Sequence, residues 1–339
     1  MLTYAFWNNK GGTGKTSLAF QAICAYAVAH PDKKVLAVDV CPQANLSELF
    51  LGALTNQGGD NLLKQHGLVP RCSIGGYFES RLPSPYKPGT INPYDFITIP
   101  QTINSAIPKN INLVCGDPLL ELQANAITTM SNTQAPSVNT WVGIISWLKD
   151  FLAVIDDKYD TVFIDCNPSF SIYTQIALAA SDRIILPVMA DDSSRRAVQN
   201  ALSLVYGLSL PSPIYATHAF HARMTSSGLS TPQVHLIVRN RITQYMGEAS
   251  AYAAVLRAIT NDVVNVTKTH PHLFTFNNMT DAAVSVRDFQ TTGTVAFAKG
   301  LPFSQLKAGK QDIGGHRVQV KEEYRQNMLA AINNLVSKL

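Results

Sequence analysis

Several features that mark large classes of proteins are missing from this sequence of 339 residues. No apolar run reaches the roughly 20 residues that a membrane-spanning helix requires. The eight histidines form no H-E-x-x-H pattern and the five cysteines form no C-x-x-C pair, so a zinc site is not indicated. Scattered, odd-numbered cysteines instead indicate free thiols in a reducing compartment, and no secretory signal precedes the first strand. We therefore expect a cytoplasmic protein without a membrane partner.

Charged residues are also scarce, at 15% of the chain, whereas hydrophobic residues make up 46%. This composition argues against disorder and for a compact fold. The formal net charge of +4 permits nucleic-acid binding without requiring it. No repeat and no linker divides the chain, so we expect a single domain over residues 1–339.

What the sequence does contain is a glycine-rich stretch at residues 8–17, Asn-Asn-Lys-Gly-Gly-Thr-Gly-Lys-Thr-Ser. An apolar run precedes it and an alanine-rich helical pattern follows it, which is the strand–loop–helix context of a phosphate-binding loop. Glycines allow backbone N–H groups to approach a polyphosphate, and the helix N-terminus adds its positive dipole end. We expect Lys15 to reach the β- and γ-phosphates and Thr16 to hold Mg²⁺. The predicted nucleotide-binding residues of this loop are Lys10, Gly11, Gly12, Thr13, Gly14, Lys15, Thr16 and Ser17.

Two later apolar runs read as buried strands that carry an aspartate at or near their ends. Residues 33–40 contain Asp39, and residues 159–165 end in Asp165. Apolar runs without alternation are typical of parallel strands that are covered on both faces. We therefore predict an α/β fold, a mostly parallel twisted sheet with helices on both faces and with nucleotide at its carboxyl edge. Asp165 is expected to act on Mg²⁺, as the equivalent carboxylate does in phosphate-loop proteins.

The second lysine of the loop, Lys10, gives it the pattern K-G-G-x-G-K-[ST], which resembles the deviant Walker A loop of the ParA/MinD family of ATPases. Residues 39–45 and 159–169 resemble that family's D-x-D-P-Q-x-N and Y-D-x-x-x-I-D-x-P-P-S patterns, and the likeness is greatest to ParA-type partition ATPases. The resemblance implies an ATP-dependent homodimer in which Lys10 reaches the partner's phosphates. A solvated loop lysine is the alternative. The implied catalytic residues are Lys10, Lys15 and Asp39, and the implied Mg²⁺ site is Thr16, Asp39 and Asp165.

The sequence departs from these patterns at two places. Cys41 stands where the family carries its second aspartate, and Asn167 replaces the first proline of the later motif. In the family the second aspartate orients the attacking water, and a neutral thiol is a poor substitute acceptor. We therefore predict slow hydrolysis. The alternative is that another residue or the loop backbone positions the water and the rate is ordinary.

The resemblance further implies that Asn240, at the end of a strand over 234–241, reads the adenine base, with a turn-forming asparagine as the alternative. Residues 52–110 are rich in Gly, Pro, Asn and Ser, and we interpret them as a surface insertion, either a specificity element or a decorative loop. Residues 321–339 predict a C-terminal docking helix.

The remaining patterns give weaker expectations about local structure. They predict one helix over 141–155 and another over 249–265. Between these two, Ser193 or Ser194 is expected to cap a helix that begins beside them. The patterns also predict a short strand over 274–280 and a helix or mixed segment over 281–297.

The leading functional prediction is a ParA-like, ATP-dependent dimerising ATPase that positions or segregates DNA or another cargo. Its ATP-bound dimer would bind non-specific DNA, associate with the nucleoid and respond to a small DNA-binding or adaptor protein. The alternative is a nucleotide-gated protein scaffold with little turnover, which Cys41 favours. An iron–sulfur or metabolic enzyme is disfavoured because paired cysteine ligands are missing. The candidate DNA contacts are Arg257, Arg287, Lys299, Lys307, Lys310, Arg317, Lys321 and Arg325, although a solvated face would give the same set.

Overall fold

A computed structural model describes residues 1–242 and 251–339 of the chain. Its main sheet within these residues has seven parallel strands in the order β3-β2-β4-β1-β5-β6-β7. The predicted parallel α/β fold is therefore confirmed, and the structure supplies the strand order that the sequence left open. The strands are β1 Leu2–Phe6, β2 Val35–Val40, β3 Ile111–Val114, β4 Thr161–Cys166, β5 Arg183–Val188, β6 Gln233–Ile242 and β7 Ala283–Arg287.

Helices cover both faces of this sheet, and successive residues of each central strand enter two different hydrophobic cores. In β1, for example, Ala5 belongs to one core while Tyr4 and Phe6 belong to the other. This division follows from the period of two along a strand. The helices are α1 Lys15–Ala29, α2 Asn45–Phe50, α3 Gly58–His66, α4 Ile74–Arg81, α5 Leu119–Asn132, α6 Thr140–Ile145, α7 Trp147–Val154, α8 Ile172–Ala179, α9 Asp192–Tyr206, α10 Phe220–Ser226, α11 Ala251–Thr269, α12 Met279–Ala282, α13 Gln290–Lys299 and α14 Glu322–Val336.

The single helix expected over 141–155 is wrong, because the chain breaks into α6 and α7 at Ser146. The break allows Trp147 to be fully buried and its indole N–H to donate to the carbonyl of Pro85 at 2.7 Å. A buried Trp N–H requires such a partner. Apolar periodicity did not indicate the break, since both short helices bury apolar residues.

The expected strand over 274–280 is also wrong, since Phe274 makes one isolated bridge to Val234 and the strand lies later, at β7. In β7 the two valines are buried while Ser285 and Arg287 are exposed, which is the alternation of an edge strand with one covered face. The helix expected over 249–265 is found as α11, which runs to Thr269. The predicted residues 249–250 lie outside the described residues.

The segment over 52–110 contributes to the core. It contains α3 and α4, and the side chains of Ile74, Phe78 and Phe96 are almost fully buried. At the other end of the chain, α14 packs against α1 and β7. Between α13 and α14 lies an antiparallel hairpin that the sequence analysis missed, β8 Gly309–Ile313 and β9 His316–Val320. None of the helices described is both long and apolar enough to span a membrane.

Candidate nucleotide site

The predicted loop and both aspartates meet at the carboxyl ends of β1, β2 and β4. We call this region, with residues 8–17, the nucleotide edge. In the sheet register Asp165 pairs with Phe6 on one side and with Asp39 on the other. Because adjacent parallel strands in register place equivalent side chains on the same face, the two carboxylates become neighbours. Both are buried, with 0% and 1% of their surface exposed for Asp39 and Asp165.

The loop is held to the sheet by Asn8, which is fully buried. Its amide donates to the carbonyl of Pro187 at 2.7 Å, and its side-chain oxygen accepts from the backbone N–H of Lys10 at 3.1 Å. Lys15 opens α1 and folds its ammonium group back to the carbonyl of Lys10 at 3.0 Å. Burial lowers the pKa of Lys15, and the nearby Asp165 opposes that shift. The lysine is thus preplaced within the loop, beside a buried negative charge.

Gly14 occupies a position that other residues would strain. Its φ is +74°, in the left-handed region, and an added Cβ would lie 2.6 Å from the side-chain nitrogen of Asn240. That nitrogen donates to the carbonyl of Thr13 at 2.8 Å. The end of β6 is therefore fastened to the phosphate loop. The expected adenine-reading role of Asn240 stays a prediction.

Asp39 is surrounded by hydrogen-bond donors. One of its oxygens accepts from the backbone N–H and the hydroxyl of Ser47, at 2.9 and 2.7 Å, and the other accepts from the backbone N–H of Cys41 at 3.2 Å. Burial raises the pKa of Asp39, and the neighbouring Asp165 raises it further. Gly116 approaches so closely that a Cβ there would lie 2.8 Å from the Asp39 carboxyl carbon.

Asp165, in contrast, accepts no hydrogen bond of ordinary geometry at either carboxylate oxygen among the described residues, although the Thr16 hydroxyl lies near enough to favour its charged form. Burial raises the pKa of Asp165, whereas the Thr16 hydroxyl and the positive charge of Lys15 oppose that shift. An unpartnered buried carboxylate is unfavourable unless a cation or donor reaches it. Mg²⁺ is usually bound through one or two carboxylates together with substrate phosphates, so Asp165, Asp39 and the Thr16 hydroxyl fit this ion. Their roles as its ligands stay predictions.

Lys10 lies at the rim, where its ammonium is held within its own chain. It donates to both carboxylate oxygens of Asp191, at 2.7 and 2.6 Å, and to the hydroxyl of Ser194 at 3.2 Å. Although partial burial opposes the shift, hydrogen bonds from Lys10, Ser193 and the backbone of Ser194 lower the pKa of Asp191 to about 2. Asp191 also caps α9, which corrects the expectation that Ser193 or Ser194 would do so. Asp191 lies immediately before the first residue of α9, and from that position its carboxylate accepts from the backbone N–H of Ser194 at 2.7 Å.

The two departures from the family patterns contact each other. The side-chain amide of Asn167 donates to the sulfur of Cys41 at 3.8 Å, and its oxygen accepts from the backbone N–H of Ser169 at 2.9 Å. Burial, together with Asp39 and Asp165, raises the pKa of Cys41 to about 12. Cys41 is therefore a neutral thiol at physiological pH, as the sequence predicted.

The candidate DNA contacts do not form one group. Lys299, Lys307, Lys310, Arg317 and Lys321 lie at or beside the β8–β9 hairpin, Arg257 lies on α11, and Arg287 ends β7. Arg325 makes two hydrogen bonds to Glu322, at 2.9 and 2.6 Å, and its side chain is only 17% exposed. It is therefore less available to a partner than the hairpin residues are.

Sequence reasoning missed two residues that organise the nucleotide edge, Asn8 and Ser47, and a third, Asn110, that lies at the opposite end of α1. Asn8 belongs to the loop motif itself and Ser47 follows the Asp39 turn, so proximity to a motif was the available signal. Asn110 donates to the carbonyls of Ala27, His30 and Lys33, at 2.9–3.1 Å, and closes the far end of α1 onto the sheet. No motif marks it, because its partners come together only through the fold.

Comparison with known proteins agrees with this geometry. A family model described as an AAA domain matches residues 1–209. The chain is 28% identical over 189 residues to the chromosome-partitioning ATPase Soj of Treponema pallidum, covering 56% of this chain and 57% of Soj. It is 29% identical over 184 residues to a putative replication protein A of Rhizobium rhizogenes, covering 53% and 38% of the two chains. The match thus spans between 38% and 57% of the length of these curated relatives.

Solved structures extend the likeness in fold to the whole chain. McdA of Cyanothece superimposes with a TM-score of 0.61 at 15% identity, covering 98% of each chain. A putative plasmid partition protein of Borrelia burgdorferi bound to AMPPNP gives 0.54 at 14% identity, covering 100% of this chain and 99% of that one. With the family model matching more than half of its residues, the chain belongs to the P-loop ATPases of the ParA/MinD type.

Proposed function

We propose that this protein is a ParA-like ATPase that binds ATP with Mg²⁺, dimerises in the ATP state and positions DNA or another cargo. The observation that carries the proposal is the nucleotide edge itself, where a buried loop lysine, two adjacent carboxylates and a second, rim-exposed lysine converge. The similarity to the partition ATPase Soj supports the same role.

The residues of the nucleotide edge would have separate roles in phosphoryl transfer. Backbone N–H groups of residues 11–16 would bind the phosphates, and Lys15 would place its charge on the β- and γ-phosphates. Asp165 and Asp39 would hold Mg²⁺ with Thr16, and the ion would neutralise charge that develops on the phosphate oxygens. Ser47 fixes the Asp39 carboxylate, so that its geometry is set before nucleotide arrives.

Dimerisation would depend on Lys10. Its charge gains strength on a partner's phosphates as water leaves the interface, but it must first separate from Asp191. We expect Lys10→Ala to bind ATP through Lys15 and to remain monomeric. Light scattering with ATP or a slowly hydrolysed analogue measures this, and an ATP-dependent dimer of Lys10→Ala would remove the proposed role of Lys10.

Hydrolysis should be slow. Cys41 offers a neutral thiol where a carboxylate would orient the attacking water, and Asn167 directs N–H groups toward that thiol. The Cys41 thiol is a weak acceptor for a water proton, and the Asn167 N–H that points toward it is only a donor. The same observation favours the second candidate, a nucleotide-gated protein scaffold with little turnover.

The proposed partners are non-specific DNA and a small DNA-binding or adaptor protein, in the cytoplasm and on the nucleoid. DNA binding should be steeply salt-dependent, because Lys and Arg contacts to phosphates release counterions. Titration of a random-sequence duplex with ATP at two salt concentrations distinguishes the two candidates: absent or salt-independent binding favours the scaffold.

A further inference from the structure

The positive charge of this protein is concentrated in one short segment. Residues 299–321 contain five of the 27 basic residues and one of the 23 acidic residues, which leaves 22 of each sign in the rest of the chain. The formal net charge of +4 therefore resides entirely in the segment that contains the β8–β9 hairpin. Nearby Glu322 is bound by Arg325 and does not oppose this charge freely.

The hairpin has an inner and an outer face. Val320 is fully buried, and Ile313 and Val318 pack against the core beneath, where the hairpin contacts α13. The outer residues Lys310 and Arg317 are exposed, opposite Gln319 and Asp312 respectively. The two-residue tip, Gly314-Gly315, has φ values of +57° and +85°, as a type I′ turn requires. The result is an anchored ribbon that presents its polar face to solvent.

The basic side chains of this segment are largely uncommitted. Across residues 1–242 and 251–339, no ion pair involves Lys307, Lys310, Arg317 or Lys321. Lys299 donates to Gln311 at 2.9 Å, and Lys321 lies 5.4 Å from the ring of Tyr324. Unpaired exposed cations on a fixed ribbon suit a polyanion with regularly spaced charges.

We propose that the β8–β9 hairpin is the element that binds duplex DNA, with Lys310 and Arg317 on the phosphates. A two-stranded ribbon is narrow enough to enter the major groove, and flanking Lys307 and Lys321 extend the positive surface along the backbone. No large apolar side chain within 299–321 is exposed, whereas a membrane-surface element would present several. This inference rests on the DNA-binding part of the proposed function and assigns it to one element.

The test compares two double variants by fluorescence anisotropy of a random-sequence duplex with ATP. Lys310→Gln with Arg317→Gln should bind about tenfold more weakly and lower the log–log salt slope by about 2, since each phosphate contact contributes about 0.9. The matched control, Lys34→Gln with Lys109→Gln, removes two exposed charges beside the amino ends of β2 and β3 and should bind as the unaltered protein does.

Both variants should still dimerise with ATP. This measurement verifies that the fold and the nucleotide edge are intact in each variant. Equal DNA affinity of the hairpin variant and the control would overturn the assignment while leaving the proposed function in place. If the unaltered protein binds no duplex with ATP, the DNA-binding part of the proposed function fails, and this inference fails with it. Binding to anionic phospholipid vesicles in place of duplex would overturn it in favour of a membrane partner.

Discussion

The nucleotide edge and the β8–β9 hairpin both gather charged side chains, but they do so in opposite physical settings. At the nucleotide edge Lys15, Asp39 and Asp165 are buried, and their pKa values are shifted by burial and by one another. On the hairpin the charges are exposed and mostly positive, with Asp312 as the one acid, and they form no ion pair within the described residues. Buried charges attract an oppositely charged ligand strongly, because little water lies between them. Exposed charges act mainly through long-range attraction, which salt screens. Single substitutions at the nucleotide edge should therefore change ATP affinity strongly, whereas single substitutions on the hairpin should change DNA affinity by small, additive amounts.

The largest expected effect is at Lys15. Lys15→Ala removes a buried charge that would contact the β- and γ-phosphates and should weaken ATP binding by about 100-fold or more, as loss of a buried charged partner typically does. Lys310→Ala removes the same charge from the hairpin and should leave ATP affinity unchanged. Calorimetric titration of both variants, with a melting curve to verify folding, measures the contrast. Similar affinities for the two variants would contradict the comparison.

An intermediate effect is expected at Cys41. Cys41→Asp should raise turnover about tenfold, because it restores a carboxylate that can orient water. Cys41→Ser should change little, since it supplies no carboxylate. Steady-state phosphate release from the three proteins, with ATP affinity measured separately, is the experiment. Brisk hydrolysis by the unaltered protein that Cys41→Asp leaves unchanged would show that another group positions the water.

The smallest effect is expected at Asp191, which is only partly buried. Asp191→Asn removes the intrachain ion pair with Lys10 but keeps a good cap for α9, since asparagine and aspartate cap helices about equally well. Lys10 is then freed for the partner subunit, and the ATP concentration for half-dimerisation should fall by about two- to fivefold, the range for a solvent-exposed pair. Asp192→Asn is the control, since Asp192 pairs with Arg195 and Arg196. Weaker dimerisation of Asp191→Asn would contradict this account.

The sequence predicted the nucleotide edge well because each of its parts is encoded by a short contiguous pattern. The loop at 8–17 needs only glycines at fixed offsets, and a buried parallel strand is recognisable as an apolar run. Predictions were wrong where local pattern and tertiary packing disagree. The break at Ser146 depends on burying Trp147 where its indole N–H reaches the carbonyl of Pro85. The edge strand β7 has too few apolar residues to be recognised as a strand from sequence. The hairpin was missed because its strands are short and polar on one face, although its Gly-Gly tip was a usable turn signal.

The sequence by itself determined the fold class, the position of the phosphate loop and the choice of Asp39 and Asp165 as the site carboxylates, because these depend on residue type and local spacing. Only the tertiary structure decided that Asp39 lies beside Asp165, that Lys10 is held by Asp191, and that Cys41 contacts Asn167. Each of these pairs joins residues more than 100 positions apart. Their contacts are set by strand order and register, which follow from the packing of the whole sheet rather than from any one segment.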